Sequence, residues 1–263
     1  MAKFCVLASS SKGNSSWLSS GDTSVLIDAG ISCRRIVNGI AQAGGEATSL
    51  SAVLITHEHT DHIKGLLNLL KKTNAEVYAS APVLDYITAN NYILPNTVLH
   101  EVDDTPFAIG DIEVKSFKTP HDSVGSRGYR FTTQSSETVG IATDLGHITD
   151  EVRAGIIGCR TVLLESNYDK RLLQMGSYPW FLKQRISSEH GHLENSDCAK
   201  FAAELVENGA VRLMLGHLSR ENNNPSLARQ TSEMMLNEHG AIMGVDFQLD
   251  VADYDEPSRV VRF

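Results

Sequence analysis

The chain has 263 residues, of which 41% are apolar and 21% charged, and its net charge is −9. That composition is ordinary for a folded protein and excludes bulk disorder, and no run of about 18 apolar residues is long enough to span a membrane. The acidic balance carries no footprint of a general polyanion binder.

In chain order the predicted elements are a strand at Phe4–Ala8, a strand at Ser24–Asp28, a helix at Ser32–Ala43 and a strand at Ala52–Thr56. A helix at His62–Lys72, a strand at Glu76–Ala79 and a helix at Ala81–Ala89 follow, the last with Pro82 in its first turn. Then come strands at Ile112–Thr119, Tyr129–Thr133 and Thr138–Thr143, a helix at Asp150–Ile157 and a strand at Thr161–Leu164. Helices at Tyr178–Ser188 and Ser196–Asn208, a strand at Val211–Leu215, a helix at Ser226–His239 and a strand at Phe247–Val251 complete the series, with Arg259–Phe263 as a candidate last strand. The alternation of strands and helices predicts an α/β chain. No internal repeat or linker divides it, so residues 1–263 are expected to form one domain. Cys5, Cys33, Cys159 and Cys198 lie far apart with no CxxC pair, and the start offers only Phe4–Ala8 as an apolar stretch, too short for a secretory signal. A reducing cytoplasm is the expected setting.

Six of these strands run straight into a polar residue that can ligate or catalyse: Asp28, His57, His121, Asp144, Glu165 and His217. Ligands of α/β sheets gather outside the carboxyl ends of strands, so a rigid sheet would present these side chains along one edge. The sharpest local signal is His57-Glu58-His59-Thr60-Asp61-His62, an H-x-H-x-D-H run. Imidazole and carboxylate suit zinc, manganese and iron, and no candidate ligand here is a thiolate. So many ligating groups in so short a run cannot all reach one tetrahedral ion without strain. Split between two ions, His57 and His59 serve one, and Asp61 and His62 the other. His121, Asp144 and His217 are candidates for the remaining ligands. The alternative is a histidine-rich helix start on the surface; taken singly, His121 is equally a loop residue and Asp144 a turn or cap residue.

This order and spacing resemble the metallo-β-lactamase superfamily: Val25-Leu26-Ile27-Asp28-Ala29-Gly30, then H-x-H-x-D-H, then His121, Asp144 and His217. The resemblance covers nearly the whole chain and implies a four-layer αββα sandwich with two divalent ions at its top. It implies that His57, His59 and His121 hold one ion, that Asp61, His62 and His217 hold the other, and that Asp144 bridges them. Asp28 would orient the ligand loop. The segments Leu7–Ser15, Leu163–Asn167, Gly191–Leu193 and Gly216–Pro225 are similar to the YycJ/WalJ family. That likeness implies a bacterial cytoplasmic nuclease of 5′-to-3′ DNA exonuclease type, linked with mismatch repair. Likeness to tRNase Z implies that His192 donates a proton to the leaving oxygen while Glu165 orients it, although His192 is also placed as a neighbour of a helix cap. Between Asp144 and Glu165 there is no room for the tRNA-gripping arm of that family, and a β-CASP insertion is absent.

The expected chemistry follows. Two ions about 3.5–4 Å apart would turn a shared water into the nucleophile that attacks phosphorus. Asp61 counts with His192 and Glu165 as catalytic, because its loss would disturb an ion. The Ser9–Ser15 turn, with Ser11, Lys12, Asn14 and Ser15, either cradles a phosphate or is a plain turn, and Asn222 to Asn224 either bond near the site or cap the helix beginning near Ser226. The expected partner is a nucleic acid, with a DNA end favoured and a single strand compatible with the acidic charge; no membrane is expected. The rival chemistries are an RNA or cyclic-nucleotide phosphodiesterase and a thioester or lactam hydrolase, and a metal-free scaffold is the rival of another class.

Overall fold

The computed structural model describes residues 2–263. Its first half builds one sheet from β1 (Lys3–Ala8), β2 (Ser15–Ser20), β3 (Thr23–Ile27), β4 (Ala52–Leu54), β5 (Glu76–Ala79) and β6 (Leu99–Glu101). Helices α1 (Cys33–Gln42), α2 (Thr60–Ile63), α3 (Leu66–Leu70) and α4 (Ala81–Ala89) lie between these strands. The second half builds another sheet from β7 (Phe107–Ile109), β8 (Ile112–Lys118), β9 (Arg127–Thr133), β10 (Thr138–Ala142), β11 (Thr161–Glu165), β12 (Arg212–Gly216) and β13 (Gln248–Val251). Its helices are α5 (Asp150–Ile156), α6 (Lys170–Met175), α7 (Trp180–Ile186), α8 (Asn195–Glu207) and α9 (Pro225–Glu238). The last strand, β14 (Val261–Arg262), crosses back to pair antiparallel with β1. The sheet orders are β14-β1-β2-β3-β4-β5-β6 and β13-β12-β11-β10-β9-β8-β7.

The strand side chains explain the layering. Along β1, Cys5 and Leu7 point to α1, α3 and α4, where Ile36, Ile40, Leu66, Leu69, Val83 and Ile87 bury their apolar faces. Phe4 and Val6 point the other way and meet the second sheet through Leu18, Val25, Ile27, Tyr129, Phe131, Val139 and Ile141. On β11, Leu163 joins that middle layer, while Val162 and Leu164 pack under Val152, Ile156, Phe201 and Leu205. Side chains alternate between the faces of a strand. Both faces here are covered, so the parallel strands are continuous apolar runs. The result is helix–sheet–sheet–helix, the four-layer αββα sandwich that the resemblance implied.

Several elements depart from the sequence expectation. β2, β6, β7 and α6 form where none was expected, and the single helix expected at His62–Lys72 is broken into α2 and α3 at Gly65. Gly65 N donates to Ala29 O at 2.8 Å, and a Cβ at Gly65 would lie 2.0 Å from Ile31 O. The break lets the ligand-bearing segment press against the turn after β3. Expected ends otherwise shift by one or two residues, which is the usual fraying of element boundaries.

Candidate metal centre

All six strand-end residues lie at one edge of the sandwich. β3 and β4 lead into Asp28 and His57, and β8, β10, β11 and β12 lead into or end at His121, Asp144, Glu165 and His217. Asp28, Asp144 and His217 adopt left-handed backbone conformations, with φ of 60°, 60° and 54°. Aspartate and histidine tolerate that region better than bulky residues, but each still costs on the order of 1 kcal/mol. Strain at three strand ends, each carrying a polar side chain into one cluster, marks a functional site.

The H-x-H-x-D-H run is fixed by the turn after β3. Asn14 N donates to Asp61 O and Ala29 N donates to His62 O, both at 2.8 Å. Gly30 permits the approach, because a Cβ there would lie 1.6 Å from Asp61 O. Glu58 is buried and ties this run to the segment after β8: it accepts from Ser123 Oγ at 2.7 Å and from Val124 N at 3.1 Å.

Nitrogen and oxygen atoms then converge at ligand-to-ligand spacing. His62 Nε2 lies 3.5 Å from Asp61 Oδ2 and 3.3 Å from Asp144 Oδ2. His217 Nε2 lies 3.6 Å from Asp61 Oδ2 and 3.4 Å from Asp144 Oδ1. His121 Nε2 lies 3.7 Å from Asp144 Oδ1 and 3.4 Å from His59 Nδ1. Ligands about 2.0–2.2 Å from a tetrahedral ion stand about 3.3–3.6 Å from one another. Four groups here have the spacing to hold a cation: His57 with His59 and His121, Asp61 with His62 and His217, His57 with His62 and Asp144, and Asp144 with Glu165, His192 and His217.

The orphaned atoms fit a cation. His57 Nε2, Asp144 Oδ2 and His217 Nε2 are buried without a hydrogen-bond partner, a costly state for polar atoms unless an ion occupies their midst. The opposite ring nitrogens are already engaged. His62 Nδ1 donates to Asp28 Oδ2 at 2.8 Å, His217 Nδ1 to Glu165 Oε1 at 2.9 Å and His121 Nδ1 to Gly191 O at 3.0 Å, while His57 Nδ1 lies 3.0 Å from Thr56 Oγ1. Such partners fix the ring and leave the other nitrogen to ligate. The donor set of imidazole and carboxylate suits zinc, manganese or iron.

The electrostatics agree. Burial would lower the His217 imidazole, but the Asp144 carboxylate, the nearby Asp61 carboxylate and the bond to Glu165 raise it to about 10. His62 is likewise raised, against its burial, by Asp28, Asp144 and Asp61. Burial would raise the Asp61 and Glu165 carboxyls. His62 and His217 hold Asp61 far below the carboxylate range, and His192 with His217 does the same to Glu165. His57, buried among other imidazoles, is lowered. The carboxylates around His62 and His217 favour positive charge at this point, which a divalent cation would supply.

Glu165 has two tasks. Its Oε1 accepts from His192 Nδ1 at 2.8 Å as well as from His217, and its Oε2 accepts from Leu145 N at 2.8 Å. His192 stands at the rim, with a side chain 20% exposed against 1% for His217. Its ring centre is 5.1 Å from that of His121 and 5.2 Å from that of His217.

The expected phosphate-binding residues divide. Ser11 and Lys12 are exposed. Ser15 is buried, and its Oγ donates to Asp28 O at 2.8 Å, which braces the turn. Asn222 is buried against Ser219, whose Oγ accepts from Asn222 N at 3.1 Å. Within Asn222 to Asn224, Asn224 caps α9, accepting from Leu227 N at 2.9 Å. Asn14 is buried but faces the ligands, its Nδ2 lying 3.0 Å from His62 Nε2 and 3.3 Å from Asp61 Oδ2. Sequence reasoning placed Ser9 only in a turn that could cradle a phosphate and gave no role to Thr56 or Asn167. Ser9 Oγ accepts from His217 N, and Asn167 Nδ2 donates to His217 O, both at 2.7 Å. Both lie inside segments shared with the YycJ/WalJ family, which is the signal that marks them.

The family described as the β-lactamase superfamily domain matches residues 23–218. The chain is 36% identical over 251 residues to exodeoxyribonuclease WalJ of Streptococcus pneumoniae serotype 2 (strain D39), covering 94% of this chain and 93% of that protein. It is 34% identical over 259 residues to exodeoxyribonuclease YycJ of Bacillus anthracis, covering 98% and 97%. The crystal structure of zinc-bound PqqB from Methylobacterium extorquens has the same fold, with a TM-score of 0.73 at 15% identity over 98% of this chain and 99% of that one. The chain belongs to the β-lactamase superfamily and, within it, to the YycJ/WalJ branch.

Proposed function

We propose that this chain is a metal-dependent nuclease that degrades DNA from its ends in the 5′-to-3′ direction. The observation that carries the proposal is the pairing of His192 with Glu165, 2.8 Å apart, at the rim of two adjoining ligand sets. Kinship with two exodeoxyribonucleases over nearly the full chain supports DNA as the substrate. His57, His59 and His121 would hold one divalent cation, and Asp61, His62 and His217 a second, with Asp144 shared. When bound, zinc, manganese or iron ions supply Lewis acidity and lower the pKa of water toward 7.

The side chains do the rest. With Nδ1 committed to Glu165, His192 has Nε2 left to donate a proton to the leaving oxygen, a transfer that contributes about 10²–10⁴-fold. Glu165 stays ionised and steadies the imidazolium. Because the same oxygen orients His217, the acid and a metal ligand are held in one fixed relation. Asp28, Thr56 and Asn167 hold His62, His57 and His217 in place. Ser11 and Lys12 are the exposed candidates for contact with substrate phosphate. The chain is proposed to work as one domain and in the cytoplasm, where its four buried free thiols would stay reduced. Among the described residues no helix is long and apolar enough to cross a membrane.

The test is product analysis with the metal-loaded enzyme on 5′-phosphorylated and unphosphorylated DNA and RNA, single- and double-stranded. Mononucleotides released in order from the 5′ end of DNA are expected. Internal cuts, or turnover of RNA alone, would overturn the proposal.

A further inference from the structure

The segment between Asn167 and His192 differs from the rest of the molecule. Residues 170–188 carry Lys170, Arg171, Lys183 and Arg185 and no acid, in a chain whose net charge is −9. Within it α7 buries none of its residues. Trp180 is 71% exposed and Phe181 72% exposed, whereas the other tryptophan, Trp17, is 2% exposed in the core. Adjacent aromatic residues bared on one short helix contribute little to folding, since neither removes its surface from water.

The helix is nonetheless held firmly beside the site. Lys183 Nζ donates to Gln174 O and Gly176 O, each at 2.7 Å, which pins α7 to the end of α6. Arg185 pairs with Asp122, the neighbour of His121. His192 N donates to Ile186 O at 2.9 Å, so the last turn of α7 carries the proposed acid directly. Gly191 permits this, because a Cβ there would lie 2.2 Å from Ile186 O. Trp180, Tyr168, Lys170 and Lys183 line one side of a cleft of about 390 Å³ and Glu194 and Asp197 the other, and the cleft reaches Gly146, two residues beyond Asp144.

We infer that α7 is a stacking platform for the unpaired bases of a single-stranded DNA end, an inference that rests on the proposed nuclease function. Every base has a π-face, so stacking on Trp180 and Phe181 holds a strand without reading its sequence. Lys170 and Arg171, the two cations of the segment not already paired, meet the phosphates between the bases. So few positive charges predict a shallow dependence on salt, with a slope no steeper than about −3 in log affinity against log salt. An acidic protein thereby engages a strand end locally, without a basic face for a long duplex.

The test uses the metal-loaded full chain and a single-stranded DNA with phosphorothioate links that resist cleavage. Binding is followed by anisotropy and by Trp180 fluorescence, with the melting temperature and the buried Trp17 signal as controls on folding. The double substitution Trp180→Ala with Phe181→Ala is expected to raise Kd by between about fivefold and two orders of magnitude. Trp180→Phe should retain most of the affinity. A strand carrying abasic sites should bind the unsubstituted protein about as weakly as an ordinary strand binds the double variant. An unchanged Kd in the double variant, or a dimer that the double substitution splits, would overturn the inference. If DNA is cleaved from its ends but Kd is unmoved, the platform alone fails. If the Kd shift appears but no DNA is cleaved, the nuclease proposal fails and the platform stands.

Discussion

The two sheets serve the candidate metal centre in different ways. The first contributes a contiguous run, His57 to His62, oriented by one neighbouring strand end at Asp28. The second contributes one residue from the end of each of four strands, with His192 added from the loop before α8. The first contribution is local: the turn after β3 bonds the run through backbone atoms. The second depends on the register of β8, β10, β11 and β12, and on Glu165, which links His192 to His217. Damage to the first half should therefore appear as lost structure or lost metal, and damage to the second as lost chemistry too.

The largest expected effect falls on the second half. His192→Ala should lower kcat on DNA by about 10²–10⁴-fold with metal content unchanged. The loss should shrink to less than about tenfold on an ester with a p-nitrophenolate leaving group, which needs little protonation. Equal losses on both substrates would remove the acid role. Next comes Gly30→Ala in the first half. Its Cβ would lie 1.6 Å from Asp61 O and 2.7 Å from Asn14 N, so the turn must move. A cost of roughly 3 kcal/mol or more is expected, read as a fall in Tm of about 6–12 °C. An unchanged Tm would show that the turn is not what fixes the run.

A matched pair sharpens the contrast. Asp28→Asn and Glu165→Gln should each weaken metal binding by about 10–100-fold, the first through His62 and the second through His217. Only Glu165→Gln should also shift the pH profile of kcat, because only Glu165 touches His192. If Asp28→Asn shifts that profile equally, the division between the halves is wrong. The smallest effect is that of Lys12→Ala, an exposed residue: affinity for DNA should fall by less than about fivefold, and the salt slope should change by about one unit or less.

What the sequence revealed follows the same division. The H-x-H-x-D-H run is legible because polar ligands crowd into a short stretch after an apolar strand. Asp144, Glu165 and His217 are legible only because each ends an apolar run, and their meeting depends on sheet order that no local pattern carries. Ser15–Ser20 escaped as a strand because only Trp17 and Leu18 are apolar in a stretch of serines, although the strand is almost wholly buried between β1 and β3. β6 and β7 are three-residue edge strands with too little pattern to register. The break at Gly65 is set by a close approach to Ile31, a tertiary constraint that overrides the helical period. Ser9, Thr56 and Asn167 carry ordinary polar side chains, and their roles appear only when their partners are in place.

The central claim is that the adjoining ligand sets each hold a cation and share Asp144. Metal counting on the purified full chain, by mass spectrometry after exhaustive dialysis, tests it most directly. The account predicts two ions per chain, falling to one when His59→Ala removes a ligand from the first set alone. A single ion per chain, or a count that His59→Ala leaves unchanged, would contradict it.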